Sequence, residues 1–345
     1  MTLEPHTGHI TARTSPAPAA GTPVPAGRRS RRFGVAVLGV AALATAGALA
    51  VGVASSRADA TVLTNCAPTL TTCGYPGATN TGVPGGTVLK TVPSQVSSGP
   101  GWYYNAAGND VVVNVNGTVL SGLYIPYTLE IDASNVTVSN VQVVTGGNYG
   151  VSLRHTTGVT IQNSLITGQN ATSGRVNYAI DDVYGDSTGM VIKNNNISNF
   201  RTAIQMSTGL VDSNYIHDPG FVAGDHTNGI YVGGGTQPMT IQNNTILDSQ
   251  NQTDAINLDA ASSGVSVANK TVKNNLLGGG SYTIYGGAAL GDPTSNLVIQ
   301  NNRFSQQYFA QGGQYGPVAY FDPTGPGNVW SGNIWDTSAQ TVTSS

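Results

Sequence analysis

A short phrase recurs five times in nearly the same letters: IQNSLI (161–166), IKNNNI (192–197), IQNNTI (241–246), VKNNLL (272–277) and IQNNRF (299–304). VSNVQV (138–143), VDSNYI (211–216) and VWSGNI (329–334) fit the same frame. The starts lie 19 to 31 residues apart. Repeats of this size belong to stacked architectures, because one unit cannot bury its own apolar face.

A second phrase alternates with the first: YGVSLR (149–154), YAIDDV (178–183), TAIQMS (202–207), NGIYVG (228–233), DAINLD (254–259) and YTIYGG (282–287). Its third residue is always Val or Ile, and its fifth is usually apolar. Period-two alternation over a few residues reads as a strand. Helical spacing is absent, and Gly (45 residues), Asn, Thr and Ser fill the gaps. The chain is therefore expected to be all-β, a parallel β-helix of about eight to ten coils.

Stacking explains the asparagines. Coils about 4.8 Å apart place equivalent residues directly over one another. Asn tolerates the left-handed backbone of a tight turn, and its amide can bond the same amide one coil up. The column Asn195, Asn214, Asn244, Asn275, Asn302 is assigned this structural role. NVTVSN (135–140) and the IQNN phrases resemble the right-handed parallel β-helix superfamily that includes pectate lyases and polygalacturonases. The likeness covers roughly 87–336. It implies the fold and leaves the chemistry open, since that fold hosts lyases, hydrolases, isomerases and tail-fibre proteins.

Residues 1–27 read as a disordered leader. RRSRRF (28–33), the apolar run 34–54 and Ala58-Asp59-Ala60 together read as a secretory signal cleaved near Ala60. The expected product is secreted, monomeric and without a lasting membrane anchor. Cleavage removes six of fourteen Lys/Arg and two of seventeen Asp/Glu, leaving 8 basic against 15 acidic residues. So few basic residues argue against a nucleic-acid partner. Residues 61–86 are expected to form an N-terminal cap and 337–345 a polar tail. In an exported chain, Cys66 and Cys73 read as a disulfide, with two free thiols as the alternative.

Chemistry is sought on the outward side of the second phrase. Alternation places Ser152, Asp181, Gln205, Tyr231, Asn257, Tyr285 and Tyr320 in one column, and Arg154, Val183, Ser207, Gly233 and Asp259 in the next. Tyrosines among polar residues suit a polysaccharide, which has apolar ring faces and many hydroxyls. Asp182 occupies a slot held elsewhere by Leu or Met, so it needs either a bend or a partner such as a cation. Asp225 and His226 precede a strand and offer a base or metal ligands; a plain turn is the alternative. QTDAINLD (252–259) resembles the N-T-D-G-I-D phrase of polygalacturonases, which implies an acid role for Asp254; Ala255 and Gln252 depart from that phrase. Coil counting places Asp225 about 5 Å below the turn carrying Asp254, and Asp181 about 14 Å from it. Arg201 lies between Asp181 and Asp225.

The candidate set is thus Asp181, Asp182, Asp225, His226 and Asp254 for catalysis. Arg154, Arg201, Gln205, Tyr231, Asn257, Asp259 and Tyr285 are the candidates for substrate binding. The expected function is cleavage of a uronate polysaccharide by β-elimination, with Ca²⁺ on Asp182 and Asp225 offsetting the acidic chain. Hydrolysis by paired aspartates and glycan binding without turnover are the alternatives.

Overall fold

The computed structural model describes residues 64–169 and 175–344. The leader and the apolar run read as an export signal lie outside the described residues. Among the described residues no helix is long and apolar enough to cross a membrane.

Three parallel sheets wind around one core. The first sheet has nine strands, the second ten and the third eleven. Each coil takes one strand from each sheet in turn, as in Thr160–Gln162, Leu165–Gly168 and Val176–Asp182. Complete coils run from Val119–Ile131 to Thr294–Ala319 and make about seven turns of stacking. The eight to ten coils expected from sequence included incomplete ends: VWSGNI supplies Val329–Ser331 and Ile334–Trp335, with no third-sheet strand following.

The register follows the repeated phrases. Ile161 pairs with Ile192, Val211 with Ile241, and Val272 with Ile299. In the third sheet Ile180, Ile204, Ile230, Ile256 and Ile284 stack in the same way. All are essentially inaccessible to solvent, and burying each such side chain contributes about 1.5–3 kcal/mol.

Two adjacent positions divide the work of the turn between the first and second sheets. Asn163, Asn194, Asn243, Asn274 and Asn301 hold the left-handed conformation, with φ between 49° and 57°. The next residue builds the ladder. Nδ2 of Asn195, Asn214, Asn244, Asn275 and Asn302 donates to Oδ1 of the asparagine one coil on, at 2.9–3.1 Å, ending at Asn333. Each Oδ1 from Asn214 onward also accepts the backbone N–H of the preceding ladder asparagine. These amides are wholly buried and wholly satisfied, which removes the cost of enclosing them.

The N-terminal segment is a strap along the solenoid. Asn65 N–H donates to the carbonyl of Asp336 on the last coil (2.7 Å), Gly82 N–H to Asn194 in the middle (3.0 Å), and Lys90–Thr91 pairs with Leu123–Tyr124 near the start. Its first residues therefore meet the final coil, where a cap over the first coil was expected. Cys66 and Cys73 form a disulfide around the short 3₁₀ turn Ala67–Cys73. The first coil is instead closed by an antiparallel hairpin of Trp102–Asn105 and Asp110–Val113, with Trp102 buried. At the other end Phe304, Phe321 and Trp330 pack together. The segment read as a polar tail joins them: Val342 is buried and its carbonyl accepts from Trp330 Nε1 at 2.7 Å.

Candidate functional site

The third sheet turns a mixed acidic and aromatic face outward. Its outward column runs Glu130, Ser152, Asp181, Gln205, Tyr231, Asn257, Tyr285, each paired with the next across one coil. Ala319 follows Tyr285. Tyr320 is one residue out of that register, although its ring still lies 5.7 Å from that of Tyr285.

The densest chemistry lies on the coil of Thr253–Asn257. Thr253 has a left-handed backbone (φ 59°) that breaks the alternation just before Asp254. Asp254 is wholly buried, and its Oδ2 accepts from Asn257 Nδ2 at 2.8 Å. Its Oδ1 has no hydrogen-bond partner. Burial holds this carboxyl well above the usual range, and the nearby charges of Asp248 and Asp259 push it further. Asp259 lies two residues beyond Asn257. Its Oδ1 accepts the N–H of Gly287 at 2.7 Å, and burial raises its carboxyl too.

Tyr231 and Tyr285 flank Asn257 on the adjoining coils. Burial raises both phenols, and the negative charge of Asp254 and Asp259 reaches both. Tyr285 extends the aromatic surface: Tyr282 meets it edge-on at 5.8 Å, and Tyr315 lies 5.9 Å from Tyr282. Tyr315 and Tyr320 are exposed. This strand and the residues just after it thus carry two carboxyls and an amide, framed by aromatic rings.

The other sequence candidates fall elsewhere. Asp181 is three register steps from Asn257, so it does not join this centre. It is buried, its Oδ1 is unpartnered, and burial followed by the charge of Asp182 raises its pKa to about 6. Asp182 has the partner that its buried slot demanded. It accepts the Ser187 N–H at 3.2 Å, which closes the turn after the strand.

Asp225 does lie one coil below Asp254, since Thr227 and Asn228 pair with Thr253 and Asp254. However, Arg175 grips its carboxylate with two hydrogen bonds, and the Val222 N–H adds a third at 2.8 Å. Burial alone would raise this carboxyl; those bonds outweigh burial and hold it below its ordinary range. His226 is exposed beside it. Arg201 bonds Tyr178 Oη at 2.8 Å, and Arg154 pairs with Glu130 at 2.9 Å.

The residues expected to hold Ca²⁺ do not fit one. Asp225 already has its countercharge in Arg175, and Asp182 is committed to Ser187. Among the described residues no group of three or more His, Cys, Asp or Glu is placed to hold a metal ion.

Buried ionisable residues that the sequence reading did not single out include Asp248 and Lys270. Asp248 ends the strand Thr245–Asp248; burial raises its pKa to about 7, and its Oδ2 is unpartnered. Lys270 points into the core of the solenoid between Met239 and Leu297. Its Nζ donates to the Ser207 and Gln237 carbonyls at 2.8 and 2.6 Å, and burial lowers its pKa to about 8. Each occupies a slot that strand alternation assigns to an apolar residue, and that misfit was the available signal.

A family model described as "Right handed beta helix region" matches residues 121–321. No curated protein matches the chain, and no solved structure does.

Proposed function

The chain belongs to the right-handed beta helix family, and from that premise we propose that it is a carbohydrate-active protein binding an extended polysaccharide along the outer face of the third sheet. The fold by itself fixes no chemistry. The observation that carries the reading is the grouping of Asp254, Asn257 and Asp259 on one coil between Tyr231 and Tyr285. Rings supply faces for sugar to stack on; the amide and carboxyl supply bonds for its hydroxyls.

The same group favours hydrolysis over metal-assisted elimination. Hydrolysis of a glycosidic bond needs one carboxylic acid kept neutral and one carboxylate ready to take a proton. Burial favours the neutral form of Asp254, and Asp259 is the carboxyl nearer the surface. Elimination from a uronate would need a cation beside the sugar carboxyl, and the cations at this face are engaged by Glu130, Asp225 and Tyr178. The complete burial of Asp254 favours a second reading, glycan binding without turnover.

The test is incubation with a panel of neutral, acidic and amino-sugar polysaccharides, following reducing ends and ultraviolet absorbance separately. New reducing ends without new absorbance, lost in Asp259→Asn, support hydrolysis. Binding without product supports the second reading, and absorbance at a cleaved uronate would restore elimination. No binding to any polymer overturns the proposal.

A further inference from the structure

A cleft of ≈ 540 Å³ opens beside the first coils, lined among others by Asp110, Tyr127, Glu130, Asn148, Tyr149 and Arg154. Glu130 stands five register steps from Asn257 along the outward column, through Ser152, Asp181, Gln205 and Tyr231. At the ordinary strand spacing the cleft lies about 24 Å from the groove centre, and it shares no residue with it. Its volume falls within the range of ligand pockets.

The aromatic rings of the cleft are held in place by rings outside it. Tyr149 stacks on Tyr178, with centroids 5.8 Å apart and planes inclined by 20°, and Tyr127 packs against Tyr104 at 5.0 Å. Rings fixed in advance lose little freedom when a ligand settles on them. The polar groups offer both halves of a hydrogen bond. Tyr104 Oη donates to Oδ1 of Asn109, which also lines the cleft, at 2.9 Å, and Asn177 Nδ2 donates to Asn148 Oδ1. With their oxygens engaged, both amides keep Nδ2 as a donor. The carboxyls of Asp110 and Glu130 supply acceptors; Glu130 is tied to Arg154 through one oxygen, Oε2, at 2.9 Å. A hydroxyl both donates and accepts, so this mixture suits a sugar ring with several of them. The charge narrows the choice. Two carboxyls line the cleft against one guanidinium. Burial, with the charges of Asp132 and Asp110, raises the Glu130 carboxyl against the pull of Arg154. A uronate or phosphate would meet net negative charge there.

We propose that this cleft is a second carbohydrate site, in which a neutral sugar stacks on Tyr149 and bonds its hydroxyls to Asn109, Asn148 and Asp110. The inference rests on the carbohydrate reading above and adds to it a site that fills independently of the groove centre. Two sites about 24 Å apart along one face take either two short oligomers or one long chain. A chain held at both gains affinity without any new contact.

The test is the stoichiometry of calorimetric titration with neutral trisaccharides of glucose, mannose and galactose, and with tri-galacturonate for comparison. The trimer that binds is expected to saturate at two molecules per chain. Tyr149→Ala and Asp110→Ala, at the cleft, should each leave one; Tyr231→Ala, at the groove centre, should also leave one. Asp110 Oδ1 has no hydrogen-bond partner to lose, and circular dichroism checks the folding of every variant. Tri-galacturonate should fill the cleft of Tyr231→Ala at least about tenfold more weakly than the neutral trimer, a difference of about 1.4 kcal/mol. One trimer per chain, kept in both cleft variants and lost in Tyr231→Ala, overturns the second site and leaves the groove reading standing. One trimer lost only in the cleft variants overturns the groove reading and keeps the cleft. Equal filling of the cleft by the uronate overturns the assignment to neutral sugar, and binding of no trimer overturns both sites.

Discussion

Asn244 Nδ2 donates to Asn275 Oδ1 at 3.0 Å, and Asn244 Oδ1 accepts the same donor from Asn214, so each amide is held from above and below. Asn244→Ala would strand the Asn214 N–H and take one bond each from Asn214 Nδ2, the Val211 carbonyl and Asn275 Oδ1, all enclosed. At about 1–3 kcal/mol for the unpaired N–H and about 0.5–1.5 kcal/mol for each bond lost, a loss of about 3–6 kcal/mol is expected on chemical denaturation. Its neighbour Asn243 sits at φ 55° in a different role. There Asn243→Ala should cost only about 1–2 kcal/mol, and Asn243→Gly less. Equal losses at 243 and 244 would contradict the division of roles.

The strap is fastened by one carboxylate. Asp336 Oδ1 and Oδ2 accept the Cys66 and Ala67 N–H groups, each at 2.9 Å, and Arg303 bonds Oδ1 at 3.2 Å. Asp336→Ala removes the acceptors and breaks a buried ion pair, a change that costs about 3–5 kcal/mol. Limited proteolysis should then cut first within residues 64–80. A variant that is cut elsewhere, or no faster than the parent chain, would show that the strap is held by other means.

Burial makes the protein's stability fall as pH rises from about 4 to about 7. Asp248 has its folded pKa raised to about 7, against about 3.9 for a free aspartate. Its proton is bound more tightly in the folded state, so its contribution is fully present below about pH 4. That contribution is lost progressively as pH rises through about 7. Asp254 shifts in the same direction. Asp248→Asn should therefore lose less stability than the parent chain between about pH 5 and pH 8, by on the order of 2–4 kcal/mol. Thermal melts at both values check this, and parallel slopes would contradict it.

Much of the scaffold could be read in the chain because stacking turns sequence identity into spatial adjacency. Ile161, Ile192, Val211 and Ile241 recur in one frame since each covers the last. The outward column of Asp181, Gln205, Tyr231, Asn257 and Tyr285 followed from strand alternation, and the register matches it. Contacts set by loops were not legible. Arg175 reaches Asp225 across 50 residues from a segment without a repeat signature. The strap meets Asp336 across 270 residues, a distance that no local pattern encodes. Asp254 was noticed through a resembling phrase, but its bond to Asn257 depends on the left-handed turn at Thr253, where alternation fails.

Asp225 tests whether the two acidic clusters act together. Arg175→Ala removes its cation and should cost about 2 kcal/mol of stability, the scale of hydrogen bonds to a charged group. Affinity for a bound oligosaccharide should stay within about twofold, since Asp225 is turned to Arg175 and away from the coil of Asn257. Calorimetry on the folded variant decides the point. A tenfold loss of affinity would place Asp225 in the binding site after all.

The most direct measurement is a crystal structure of the protein with an oligosaccharide bound. The account predicts sugar rings along the outer face of the third sheet, stacked on Tyr231 or Tyr285, with Asn257 and Asp259 within hydrogen-bonding reach. Sugar seated on the first or second sheet, with the coil of Asp254 left bare, would contradict it.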